Sequence, residues 1–262
     1  MLDRVLPLER HNFTAPNGRV FTTDGVIPGR RPEGVNFYDV DYFNGGRADK
    51  GIQFPRNGSY LDPHSEYEAK FSAILAWINS YIPDGDVLDV GTGPGHLAYW
   101  ADQLGLPFNV FGCDISHDLL TSRYNLNPKA TVVAELHKIP YGSDNFNAVV
   151  FSDVLEHVHP NQAVEAVTEG SRVLVPGGHI FMRIPNRDTW TDAAYRDQAH
   201  VWLPTPDEVR SLLEISGFEP DSISVFTRGF PDSQKFIEEH GYDHIQPQYG
   251  AAICATAMKP LE

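Results

Sequence analysis

Between Asp86 and Ala98 the chain reads Asp-Val-Leu-Asp-Val-Gly-Thr-Gly-Pro-Gly-His-Leu-Ala, and this segment constrains the fold more than any other. An apolar run ends at Val90, glycines follow at alternate positions 91, 93 and 95, and a helical pattern begins beyond them. Glycines let the backbone turn sharply between strand and helix, and they let a ligand approach with no Cβ in the way. A dinucleotide-binding turn places a glycine three residues beyond the second one, where this chain has His96. The spacing G-x-G-x-G, with Asp89 two residues before the first glycine, favours a ligand that has no pyrophosphate to cradle.

The rest of the chain extends this unit. Short apolar runs occur at 87–90, 110–113, 131–134, 148–151, 179–184, 223–226 and 251–258. Helical periodicity falls at about 63–81, 95–104, 117–124, 161–174 and 206–216. Strands alternating with helices predict an α/β fold, a doubly wound and mostly parallel sheet. No helix-length pattern separates the last two runs, which leaves the final strand open to an antiparallel place. Residues 1–60 differ: they hold 8 Gly and 5 Pro and gather aromatics at Phe37, Tyr38, Tyr42, Phe43, Phe54 and Tyr60. The division expected is an N-terminal arm or lid over 1–60 and a ligand-binding domain over 61–262.

Two further acids end the next strands. Asp114 closes the run 110–113, where a carboxylate can accept hydrogen bonds from vicinal ribose hydroxyls, and Glu135 follows the run 131–134. With these in place, the chain resembles the class I S-adenosylmethionine-dependent methyltransferases. The resemblance rests on Asp89–Gly95, Asp114, Glu135, the stretch Ile139–Val150, Asp153-Val154-Leu155-Glu156-His157-Val158, Leu174-Val175-Pro176-Gly177-Gly178, Phe181–Asn186 and His200–Val209. These motifs look like the branch that includes ubiquinone-biosynthesis O-methyltransferases and natural-product methyltransferases. The resemblance implies a Rossmann-like, seven-stranded sheet with its last strand antiparallel. It also implies S-adenosylmethionine as cofactor, with Gly91, Gly93 and Gly95 cradling it and Asp89 near its amino group. Asp114 would then hold the ribose, Ile115 would pack on adenine, Glu135 and Leu136 would take the adenine edge, and Ser152 would offer its carbonyl to the ammonium.

Methyl transfer needs a base only if the nucleophile arrives protonated, and the histidine candidates are His157 and His200. A metal is not expected, because His157-Val158-His159 has no third ligand at convincing spacing. The acceptor expected is a small-molecule metabolite methylated on O or N. Loops over 187–199 and 229–250, rich in aromatics, are candidates to shape its pocket. The 20 Lys and Arg stand against 35 Asp and Glu, a formal charge of −15, which opposes nucleic acid and an anionic membrane as partners. With no apolar run of membrane length, no signal-like N-terminus and only Cys113 and Cys254, both in strand-like runs, the expectation is a cytoplasmic protein. A homodimer is compatible with these features. Two competing readings are an NAD(P)-dependent reductase on a similar sheet, which His96 and Glu135 oppose, and a non-catalytic cofactor- or partner-binding module.

Overall fold

The computed structural model describes residues 8–15, 17–30, 38–45, 61–62, 67–128, 130–189, 197–227 and 252–262. All seven apolar runs form strands of one sheet: β3 (Gly85–Val90), β4 (Phe108–Asp114), β5 (Thr131–Val133), β6 (Phe146–Ser152), β7 (Leu174–Pro185), β8 (Ser224–Phe226) and β9 (Ala252–Met258). Ahead of them lie the hairpin β1 (Glu9–Thr14) and β2 (Val20–Val26). The helices are α1 (Val40–Gly45), α2 (Tyr67–Tyr81), α3 (His96–Gln103), α4 (His117–Thr121), α5 (Pro160–Val173) and α6 (Pro206–Ile215). The sheet order is β5-β4-β3-β6-β7-β9-β8. Pairing is parallel from β5 to β7, and β9 runs antiparallel to both β7 and β8. The expected seven-stranded, doubly wound sheet with an antiparallel last strand is therefore the fold observed.

Side chains alternate across a strand, so a sheet covered on both faces sends adjacent residues into different cores. Val87, Ala148, Val150 and Phe181 pack with Ile74, Trp77 and Ile78 of α2 and Leu97 and Trp100 of α3. Leu88, Val149, Phe151, Ile180 and Met182 pack on the other face with Val164 and Val167 of α5 and Leu212 and Leu213 of α6. Trp77 meets Phe181 edge-on at 5.1 Å. Strand order reverses between β3 and β6, which opens a crevice at the carboxyl ends of the central strands.

Helix α6 begins where its sequence directs. Thr205 Oγ1 accepts the Glu208 N–H at 3.3 Å, Glu208 Oε2 accepts the Thr205 N–H at 2.9 Å, and Pro206 occupies the first turn. Glu208 Oε1 also accepts the Asp24 N–H at 2.8 Å, so the same cap fastens β2 to the domain. Phe21 is fully buried edge-on against Trp202, whose Nε1–H donates to Thr23 Oγ1 at 3.0 Å. The regular hairpin within 1–60 was not foreseen. Among the described residues no helix is long and apolar enough to cross a membrane.

Candidate active site

The crevice holds a cavity of about 510 Å³, within the range of small-molecule sites. One part of its wall comes from the strand ends: Gly91, Gly93, Asp114, Ile115, Ala134, Glu135, Leu136 and Ser152. Another comes from the residues after β6 and from the N-terminal segment: Asp153, Val154, His157, Val158, Gln162, Tyr38, Tyr42 and Phe43, with His137 and Lys138 at the rim. Of the candidate pocket loops, residues 190–196 of the first (187–199) and all of the second (229–250) lie outside the described residues, as do Phe37, Phe54 and Tyr60.

The glycine turn is built for close approach. Gly91 N–H and Thr92 N–H both donate to the Cys113 carbonyl, at 2.8 and 3.1 Å, which folds the turn back onto β4. Gly91 has φ +77°, and a Cβ there would stand 2.5 Å from Val154 Cγ2. Gly95 caps α3 in the left-handed region without lining the cavity. His96 is fully buried edge-on to Phe71 at 5.2 Å, and burial pushes its pKa down to about 3. That neutral core ring occupies the place where a dinucleotide turn would need glycine.

Asp114 sits at the cavity with both carboxylate oxygens engaged by backbone amides. Gly93 N–H donates to Oδ2 and Ser116 N–H to Oδ1, each at 2.9 Å. Burial raises its pKa, and these amides oppose the rise. Each oxygen keeps a lone pair for a ligand hydroxyl. Asp89 lies beneath the turn rather than on the cavity wall, 2% exposed, where its Oδ2 accepts Thr92 Oγ1–H at 2.9 Å. Burial pushes its pKa up to about 7, against the pull of the Thr92 hydrogen bond and Lys70. Glu135 is at the rim in contact with Lys138 Nζ at 2.7 Å and His137 Nε2 at 3.1 Å, and Lys138 holds its carboxyl below the ordinary range.

Sequence reasoning missed Asp153 as a structural pin. Its backbone is left-handed at φ +53°, and its carboxylate pairs with both Lys70 of α2 and Arg183 of β7. Burial alone would raise its pKa, but the two cations hold it well below the usual carboxylate range. This pin fixes the chain directly after Ser152. His157 lines the cavity, and His200 stands behind it with ring centroids 5.1 Å apart. Burial, then the neighbouring His200, pushes the His157 pKa down to about 4. The ring of Tyr38 meets His157 edge-on at 5.8 Å and Tyr42 at 5.0 Å.

Residues 88–182, which run from β3 through the glycine turn, Asp114 and His157 to β7, match the family described as methyltransferase domain. Over that stretch the chain is similar to a methyltransferase domain. The likeness extends to curated relatives. A probable S-adenosylmethionine-dependent methyltransferase from Mycolicibacterium smegmatis is 32% identical over 54% of this chain and 55% of its own length. A ubiquinone biosynthesis O-methyltransferase from Dechloromonas aromatica is 31% identical over 49% of this chain and 59% of its own. The chain thus spans little more than half the length of these relatives. Among solved structures, an S-adenosylmethionine-dependent methyltransferase from Archaeoglobus fulgidus superposes with a TM-score of 0.57 at 17% identity, covering 73% of this chain and 94% of that one. The fold places eight of the eleven site candidates on the cavity: Gly91, Gly93, Asp114, Ile115, Glu135, Leu136, Ser152 and His157. Asp89, Gly95 and His200 support it from behind.

Proposed function

We propose that the protein is a methyltransferase that uses S-adenosylmethionine to methylate O or N of a small-molecule acceptor. The observation that carries the reading is the shared bond between Gly93 N–H and Asp114 Oδ2, which sets a glycine cradle and a ribose-type carboxylate against one cavity at the strand-order switch. The residues present fit the cofactor: Gly91 and Gly93 line the cavity beside Asp114, whose two oxygens each keep a lone pair for a ribose hydroxyl. When bound, the cofactor supplies an activated methyl group on a sulfonium.

The chain's own part is alignment and exclusion of water. Asp114 would receive the ribose hydroxyls, Ile115 and Leu136 would flank adenine, and the Ser152 carbonyl, next to the Asp153 pin, would take the amino group. The acceptor enters between His157 and the Tyr38, Tyr42 and Phe43 rings of the arm, which serves as a lid over the 61–262 domain. At neutral pH the depressed pKa of His157 leaves its ring neutral. With a ring nitrogen bonded to the Ala199 backbone, it borders the acceptor end of the cavity as a neutral, fixed wall. The charge of −15 favours a small neutral or cationic acceptor over nucleic acid. Buried free thiols at Cys113 and Cys254 suit a cytoplasmic protein.

Calorimetric titration with S-adenosylmethionine and S-adenosylhomocysteine tests this reading. Both are expected to bind one per chain, and Asp114→Asn, which loses a charge-assisted acceptor, should weaken binding by about 10- to 100-fold. No binding of either compound, or equal binding by Asp114→Asn, would overturn it. A parallel titration with NADH covers the reductase reading.

A further inference from the structure

Three metal-capable side chains meet behind the acceptor end of the cavity. Glu156 and His157 are neighbours on the single 3-10 turn Leu155–His157 after β6, and His200 comes from the strand-like segment that holds the hairpin. Each offers one ligand atom, and the three atoms lie within 4.8 Å of one another. The backbone fixes this meeting: Val201 N–H and Trp202 N–H donate to the Glu156 carbonyl at 2.8 and 3.3 Å.

A second observation points to a missing ligand. Glu156 is only 1% exposed, yet its Oε2 has no hydrogen-bond partner, and neither has Nδ1 of His157. A buried carboxylate oxygen without a partner is costly, and such groups are normally paired or bound to metal. Lys70 and Arg183 are engaged by Asp153, and Arg30 Nη1 donates to the Asp197 and His200 carbonyls. Asp197 Oδ2 stands 3.7 Å from His200 Nε2, the same ring nitrogen that lies 4.0 Å from Glu156 Oε1, so a second carboxylate borders the cluster.

We infer that Glu156, His157 and His200 form a binding site for a divalent transition cation of the zinc or cobalt kind. Two imidazoles with one carboxylate suit such ions better than magnesium or calcium, which prefer all-oxygen shells. Three protein ligands leave a coordination position open, and one of the three, His157, also lines the cavity. Ligands of one tetrahedral ion stand roughly 3.4 Å apart, so binding draws the three atoms inward by about an ångström. The site does not depend on the methyl-transfer reading, and its test reads metal rather than turnover.

The full-length protein, stripped with a chelator, is titrated calorimetrically with Zn²⁺ and, in parallel, with Co²⁺ followed by visible absorption. One equivalent of each is expected, with cobalt giving the intense bands of a site of low coordination number. Glu156→Gln and His200→Ala should each weaken Zn²⁺ by more than the roughly 10- to 100-fold that loss of an outer partner costs. His159→Ala, which removes a ring outside the cluster, should leave affinity unchanged. Circular dichroism of the metal-free variants reports folding. Gln keeps the shape of Glu, so if His200→Ala does not fold, Glu156→Gln decides. Absence of saturable binding, unchanged affinity in folded Glu156→Gln, or loss only in His159→Ala would overturn the site.

Discussion

The buried Asp89 gives the sharpest quantitative prediction. Its carboxyl has an ordinary pKa of 3.8 in the unfolded chain and about 7 in the folded one, because burial outweighs the Thr92 hydrogen bond and the attraction of Lys70. For an acid the folded-state rise means that, between those values, the folded protein holds a proton the unfolded chain has released. Stability therefore falls as pH rises through this window, by up to about 1.4 kcal/mol per unit, and levels off above the folded value. A rise of this size amounts to a destabilisation on the order of 4 kcal/mol at alkaline pH and none at acid pH. Asp89→Asn removes the titration while its amide oxygen still accepts the Thr92 hydroxyl. Urea unfolding of both proteins across pH values on either side of 7 isolates the effect as a difference, in which other titrating groups cancel. The variant should match the wild type near the acid end and exceed it increasingly toward the alkaline end. In the wild type, a ligand bearing an ammonium beside the turn would favour the ionised carboxylate, so its binding below pH 7 should release a proton, and the variant should release none. Parallel stability curves for the two proteins would refute the assignment of a raised Asp89.

Other expectations follow from neighbouring contacts. Gly91→Ala combines a left-handed backbone at φ +77° with a Cβ 2.5 Å from Val154 Cγ2, and it should cost about 2–4 kcal/mol in urea unfolding. Adding Val154→Ala should recover part of the steric cost, because it removes Cγ2 but keeps Cβ, 2.9 Å from the new methyl. Lys70→Met removes one of the two cations on Asp153, with a loss of roughly 3 kcal/mol at neutral pH. Because the Asp153 carboxyl is depressed in the fold, its stabilisation is present above its ordinary pKa and lost as pH falls, and the variant should unfold at higher pH during acid titration. Phe21→Ala empties a fully buried position against Trp202; a cost of about 3–5 kcal/mol should appear first as faster proteolysis within the hairpin, with cofactor affinity retained.

The parts of this protein legible in its sequence are those whose signal is local. Each of the seven apolar runs became a strand: the central strands are buried on both faces and must be apolar along their length, while β5 and β8 lie at the edges and are only partly buried. Helix α4 is shorter than its pattern, stopping at Thr121, because Ser122 turns to extended backbone and its hydroxyl takes the Leu119 carbonyl at 2.8 Å. The β1–β2 hairpin went unread although Asn17-Gly18 is a strong turn signal between two runs. Its inward positions include Thr23, buried at 1% by bonds to Trp202 and Gly25, so polarity disguised the alternation. On the site, the glycine turn and Asp114 were found because one strand end carries each. His157 seemed to pair with His159 by spacing, whereas the fold sets it against His200, forty-odd residues away, through the two bonds to the Glu156 carbonyl.

The buried carboxylates around the cavity show how the fold divides its charges. Asp89 is removed from water and Asp153 is partly so, and they titrate in opposite directions. Asp153 has Lys70 and Arg183 in direct contact, so attraction outweighs burial. Asp89 has one hydroxyl and only the more distant influence of Lys70, so burial prevails. Glu156 lacks even a hydroxyl on Oε2 and is repelled by Asp153, which raises it further. The difference lies in which acids were given protein cations. Asp153, which must hold the backbone after Ser152 at a strained φ, receives both. Asp89 and Glu156, beneath the glycine turn and behind His157, are left to be balanced by protons or by positive charge from outside the chain. That division fits a site whose ligands are cationic at two separate points.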